Sequence, residues 1–440
     1  GLASVSVNGS VVNALVENSG LIAATNGQVY LTARGKDMLL NTVVNNSGTV
    51  EARGLNQRGG EIVLDGGESG VVSQSGMLLA DSETGRGGKI TVQGANIHLA
   101  GGSRTSATGR TGGGGVYVGG GWQGKDAAIR NASKVVMDRD AVIDVSATEK
   151  GDGGKAVLWS EDYTNFRGRI LAKGGAQSGN GGQVETSSHH NLQAFGDVEA
   201  SALNGRGGNW LLDPEDITIV SGSGNATENP PEGGIFTPGN GASSVSNATI
   251  EQRLNDGTSV TIKTTGESQS SGSNRASSPW GNITVNADIN HSATNNVSLS
   301  LEADGNINIT GHNITSSNGT LDVNLLGGGS HSGIIFLDGA NITTNGGNIT
   351  LGQLNHTESS TTALTVKVAN GSVLNASGAS GSASGNISIS AFNPNVDLTA
   401  AGLNASSPAL NVRNGGSLLE VNNSTLTGGD ISLTGTQSGA

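Results

Sequence analysis

The sequence predicts an all-β chain wound as a right-handed parallel β-helix, a solenoid with extra-helical loops. Three observations carry this expectation. The composition is too poor in large side chains for a thick core, a short cassette recurs about every 28 residues, and brief alternating apolar runs occur with no helical period between them.

Glycine supplies 73 of the 440 residues, aromatics 3% and charged residues 13%. Such a chain fills a thin core with Val, Ile, Leu and Ala. Enrichment in Gly, Ser and Asn also suits a disordered chain, but the periodic apolar pattern argues against disorder. A net charge of −13 and a pI near 4.9 leave no basic patch to displace counterions from phosphates, so nucleic acid is excluded as a partner, and an anionic membrane surface is disfavoured. The absence of cysteine removes disulfides and cysteine-based zinc sites, and suits a chain that stays unfolded while crossing an oxidising periplasm. No run of 18 apolar residues occurs, so no membrane insertion is expected. The start, Gly1-Leu2-Ala3-Ser4, lacks the basic residues and apolar run of a signal peptide, and the chain reads as an interior fragment.

The first cassette reads SGLIAA at 19–24, SGTVEA at 47–52 and SGMLLA at 75–80, with Gly20, Gly48 and Gly76 28 residues apart. It returns as RGRILA around Gly168 and FGDVEA around Gly196. A second cassette, a glycine pair before an alternating strand, runs in step: GGEIVL from Gly59, GGKITV from Gly87, GGKAVLW from Gly153, GGQVET from Gly181 and GGNWLL from Gly207. Each alternates over four to six positions, as a strand with one buried face does. The intervening glycines are expected to supply the positive φ of tight corners. A 26- to 28-residue period without a helical pattern is met by stacking each strand on its equivalent in the next coil. About 16 coils at about 4.8 Å each give a length on the order of 75 Å. Val50 and Ile90 should point inward.

The period is exceeded by about ten residues at GGGGVYVGGGWQGKDAAIR, 112–130. Insertions in solenoids emerge as surface loops, often on the binding face, so Trp122 is a candidate loop contact, the alternative being a lid on the core. Residues 221–244, rich in proline and glycine, read as a long loop. NATIEQRLNDG at 247–257, with Ile250 and Leu254 four apart, suits one short helix capping a coil end. From about Ser259 alternation resumes in GNITVNADI, GNINITGHNI, GGNITLGQL, GNISISAF and GGDISLTG. The domains expected are 1–219, regular coils; 220–258, loop and helix; and 259–440, a continuing Asn/Ser/Thr-rich β-helix.

GGGVYVGGGWQG, GGKAVLWSEDYTNFRGRILAKGGAQSGNGGQVETSSH and GGNWLLDPEDITI, in that order, resemble the large exoproteins of bacterial two-partner secretion, the filamentous-haemagglutinin and high-molecular-weight adhesin family. The likeness is dense over 112–219, looser over the flanking coils, and in the Asn-rich C-terminal half rests only on texture and order. It implies a secreted β-helix exported through an outer-membrane transporter partner, and in many members adhesion. The family's secretion domain carries Asn-Pro-Asn-Gly and Asn-Pro-Asn-Leu turns near its start. Here the comparable NPNV lies at 393–396, so the resemblance places this fragment downstream of that domain, and recognition of the transporter is not assigned to it.

GGNWLLDPEDITI, 207–219, is read as a seam: Trp210, Leu211 and Leu212 seal the core, and Asp213-Pro214-Glu215-Asp216 makes an exposed turn. Calcium would need six to eight converging oxygens, so no metal or cofactor is expected. Asp138-Arg139-Asp140 and Glu161-Asp162 offer catalytic residue types without a defined constellation, and the chain is expected not to be an enzyme. His189 and His190 are adjacent and ill placed to share one ion. About twenty Asn-X-Ser/Thr sequons occur, all but three after residue 220. Candidate glycosylation sites are Asn282, Asn308, Asn313, Asn341, Asn348, Asn370, Asn386, Asn404 and Asn423. Composition explains these sequons as well as sugar attachment does, though some members of the resembling family carry sugars at such sites.

The function expected is that of a secreted, surface-associated adhesin segment presenting loops to a host-cell surface glycan or protein. The alternatives are the non-binding stalk of a cytolysin or contact-dependent toxin and, in another class, a polysaccharide-degrading β-helix enzyme.

Overall fold

The computed structural model describes residues 3–7, 16–25, 28–33, 42–53, 59–222, 235–238, 242–266, 281–394 and 417–437. Most of the proline-rich segment, and Asn404, lie outside them. The chain is a parallel β-helix of short strands, packed as two compact units. Gly1–Asp213, Asn225–Gly241 and Asp256–Ser259 form the first, and Pro214–Gly224, Ala242–Asn255 and Val260–Ala440 the second.

In the first unit each coil contributes one strand to each of three parallel ladders. The first ladder runs through Gln28–Ala33, Glu61–Asp65, Lys89–Gln93, Gly115–Val118, Lys155–Leu158, Gln183–Thr186 and Asn209–Leu212. The second includes Val71–Gln74, Asn96–Leu99, Lys134–Met137, Tyr163–Phe166 and Asn191–Ala194, and the third runs from Leu21–Thr25 to Asp197–Glu199. Alternation turns every second residue of the first ladder inside. Val29, Ile62, Ile90, Val116, Ala156, Val184 and Trp210 stack in register and are essentially inaccessible. Val50 and Ile90 both point inward, fully buried. Where the second ladder turns, Asn18 donates to Asn46 (2.9 Å) and Asn46 to Gln74 (2.8 Å), so buried amides satisfy one another from coil to coil.

The cassette glycines are needed for a different reason from the one their positions suggest. Gly60, Gly88, Gly114, Gly154, Gly182 and Gly208 lie one above another without positive φ. A Cβ on Gly88 would stand 1.9 Å from the Gly60 carbonyl oxygen, and one on Gly208 as close to that of Gly182. Close approach of stacked backbones, rather than a left-handed turn, demands glycine here.

The second unit repeats the plan. Its inward columns include Ile217, Ile283, Ile307, Ile335 and Val366 and Ile289, Ile314, Ile342 and Leu374, almost all fully buried. At the strand starts, acceptor side chains hold the next coil: Asn282 N–H donates to Asp216 (2.6 Å), Asn306 to Asn282 (2.9 Å) and Ile334 to Asn306 (2.8 Å). The helix Asn247–Asn255 buries Ile250 and Leu254, which a four-residue spacing puts on one face. It packs against Ile289–His291, the first strand of its ladder, and Asn255 Oδ1 accepts from Ser292 (2.8 Å) and Ala293 (3.0 Å).

Among the described residues no helix is long and apolar enough to cross a membrane.

Candidate functional site

Outward positions of the first ladder in the first unit form two columns. One reads Gln28, Glu61, Lys89, Gly115, Lys155, Gln183 and Asn209; the other reads Tyr30, Val63, Thr91, Tyr117, Val157, Glu185 and Leu211. Gly115 leaves a gap between two lysines, and the Tyr117 ring fills it: a Cβ at 115 would come within 2.8 Å of that ring. Lys89 Nζ sits 5.4 Å from the Tyr117 centroid, and Lys155 Nζ 5.3 Å from that of Trp122, distances at which an ammonium is held by the ring quadrupole. Burial, then the nearby Asp126 charge, push the Tyr117 hydroxyl above its usual pKa, so it stays a neutral donor.

Trp122 arrives on the long insertion, residues 119–133, which leaves the first ladder after Val118 and joins the second at Lys134. The insertion is a strap laid along the sheet. Gly119, Gly120 and Gly124 have positive φ, and Trp159, 7% exposed, packs beneath them; a Cβ on Gly124 would lie 2.4 Å from its indole. At the tip Gln123, itself left-handed at φ 54°, donates its backbone N–H to Glu185 (2.5 Å) and its side-chain amide to Asp213 (2.9 Å). Glu185 points outward yet is fully buried by the strap, and its second oxygen accepts from Ser187 (2.8 Å). Trp122 is half-buried. It lies on the outer face, and Trp159 is the ring packed under the strap's glycines.

The turn expected to be exposed at 213–216 is not. Asp213, Pro214 and Glu215 are buried and Asp216 is half-buried. Asp213 N–H donates to the Ser187 hydroxyl (2.9 Å), and the Pro214 carbonyl accepts from Thr265 N–H (3.0 Å), so the backbone of the turn is engaged on both sides. Trp210 is in the core, as its motif suggests.

In the second unit Asp304 organises a corner. Its Oδ1 accepts from Ser330 N–H (2.6 Å) and Oγ (2.5 Å), its Oδ2 from Gly266 (3.1 Å), and the His331 ring stands 3.7 Å away. Burial alone would raise this carboxyl, but His331 and Ser330 outweigh it and hold the pKa below the usual range; burial raises that of Asp216 nearby. These contacts fasten a corner.

The remaining sequence candidates are dispersed. Asp138 pairs with His98 (2.7 Å) and Asp162 with Lys134 (2.5 Å), while Glu161 accepts from Asn131 (2.9 Å). His189 and His190 occupy a corner rather than a strand, their rings edge to face at 4.7 Å. Among the described residues no group of three or more His, Asp or Glu is arranged to hold a metal.

The described sequon asparagines fall into distinct settings. Asn308, Asn313, Asn348, Asn370, Asn386 and Asn423 are exposed, and Asn282 and Asn341 half-buried. In six of them the middle residue is an inward isoleucine: Ile283, Ile309, Ile314, Ile342, Ile349 and Ile387. Asn282, Asn348 and Asn386 spend their carbonyl oxygens on the next coil's backbone. Asn370 differs, because its amide nitrogen donates to Asp338 at 2.6 Å.

Compared with known proteins, the chain matches no family model and no curated protein. The strap face was legible only as a break in period. Its carboxylate anchors lie 62 and 90 residues from Gln123, beyond any local pattern.

Proposed function

We propose that this chain is a segment of a secreted bacterial surface adhesin, with stacked coils as a rigid frame and the strap face of the first unit as its contact surface. The observation that carries the reading is the fixed Lys89, Tyr117, Lys155 and Trp122 cluster, displayed on a frame whose other large apolar side chains are mostly turned inward. Aromatic and amide groups on a rigid sheet suit a glycan or protein surface. The resemblance to two-partner-secretion exoproteins supports secretion and attachment.

The test is attachment of beads coated with the chain to epithelial cells, with soluble chain as competitor. Saturable attachment, displaced by the soluble chain and weakened by Trp122→Ala, is the expected result. Attachment no better than that of albumin-coated beads would favour the stalk reading.

A further inference from the structure

We propose that the outer face of the second ladder in the first unit is a self-association site: a groove that takes Ile235 and Phe236 of a second copy of this chain in exchange for its own. The groove lies on a different ladder from the Lys89, Tyr117 and Lys155 column, and self-association owes nothing to the adhesive reading.

Register separates the two faces of the second ladder. Val72, Ile97 and Val135 stack in register, fully buried in the core, so their neighbours point outward. One outward column reads Val71, Asn96, Lys134 and Tyr163; the other begins Ser73, His98 and Val136. Outward side chains of a solenoid are normally wet. Here Val136 and Tyr163 are each only 1% exposed and Val71 is buried, because Ile235 and Phe236 pack on them. Phe236 meets the His98 ring edge to face, with centroids 6.4 Å apart. At the rim His98 pairs with Asp138 (2.7 Å) and Lys134 with Asp162 (2.5 Å). An aromatic anchor in an apolar pocket, edged by charged pairs, has the anatomy of a protein–protein interface.

The anchor is an addition to the coils and not a part of them. Ile235 and Phe236 lie in no strand of any ladder. Phe236 belongs to the first unit, although Pro214–Gly224 before it and Ala242–Asn255 after it belong to the second. Lifting it off therefore breaks no ladder. Every copy carries both groove and anchor, so seating the anchor on a neighbour repeats the same contacts, which makes exchange a low-cost route to a dimer. Within one chain the tethered anchor competes at a high effective concentration, and exchange is accordingly favoured where copies are crowded.

Two variants of the full chain separate groove from anchor. Phe236→Ala leaves an open groove, and Val136→Asp leaves an anchor with no groove to fill; Tyr163→Ser is a second groove variant, which replaces Val136→Asp should that one lose its fold. Circular dichroism checks the fold of each, and association is followed by sedimentation velocity over a range of concentrations with one component fluorescently labelled. Each variant alone should stay monomeric. An equimolar mixture of Phe236→Ala with either groove variant should form a one-to-one dimer, at a concentration at least about tenfold below that which the parent needs, because no tethered competitor remains. Mixtures that stay monomeric would overturn the proposal and leave the groove to the chain's own segment. Dimers formed as readily by Phe236→Ala alone would also overturn it, placing association on another surface.

Discussion

Trp210 and Phe166 meet edge to face inside the first unit, ring centroids 6.4 Å apart, while the Trp210 indole N–H donates to the buried Thr186 hydroxyl at 3.0 Å. Both rings are fully buried. They occupy inward positions of different ladders, Trp210 in the first and Phe166 in the second, in a core lined mainly by aliphatic side chains. Trp210→Ala should therefore cost about 3–5 kcal/mol, and Trp210→Phe about 1–3 kcal/mol because the Thr186 hydroxyl is left unpaired. Urea unfolding followed by far-ultraviolet circular dichroism checks both.

The glycine column makes a sharper test of the stacking. Gly88→Ala places a methyl 1.9 Å from the Gly60 oxygen, whereas Gly352→Ala meets nothing nearer than Leu326 Cδ2 at 3.7 Å. The first should lower the melting temperature by several degrees, and the second should leave it unchanged or slightly raised. Equal effects in calorimetry would mean that the coils do not approach as described.

His291 makes the second unit acid-sensitive. It is fully buried, with ring nitrogens on Ser316 Oγ (2.7 Å) and Asn295 Oδ1 (2.6 Å), and burial lowers its pKa from the ordinary 6.5. The unfolded chain binds a proton near that value and the fold only at lower pH. Its contribution is thus complete above about pH 6.5, shrinks as pH falls through the window below it, and levels off under the folded value. His291→Gln should flatten the slope of stability against pH in that window. An unchanged slope would assign the sensitivity to other groups.

Sugar attachment at the sequons would follow side-chain availability. Expressed with a glycosyltransferase that reads Asn-X-Ser/Thr, the chain should carry sugar at the exposed Asn308 and Asn313, and little at Asn370, whose amide nitrogen is held by Asp338. Asp338→Ala should raise occupancy at Asn370 in peptide mass spectrometry. High occupancy in the parent would contradict this.

Much of the fold is local and so can be read from the chain. Ile283, Ile309 and Ile342 are buried because strands alternate, and the same alternation writes Asn-Ile-Thr wherever an outward amide and hydroxyl flank an inward isoleucine. The helix at Asn247–Asn255 announces itself by Ile250 and Leu254. What escapes local reading is contact across coils. Nothing near Glu185 signals that Gln123 will cover it. Nor does the sequence around Phe236 show that it packs on the outer side of the second ladder against Val71, Val136 and Tyr163, edge to face with His98. The cassette glycines were legible as necessary, but their reason, the backbone above, belongs to the stacked structure.

The chain has no cysteine, and this permits the most direct test of where it binds. Gln183→Cys on the strap face, Arg169→Cys on the third ladder and Asn308→Cys in the second unit, all at exposed positions, are each coupled to a polyethylene glycol maleimide, and attachment of coated beads to epithelial cells is measured before and after. Loss of attachment on modifying Gln183→Cys, with the other two unaffected, is the result expected. Blocking at Arg169→Cys or Asn308→Cys with Gln183→Cys unaffected would contradict the assignment of the adhesive surface.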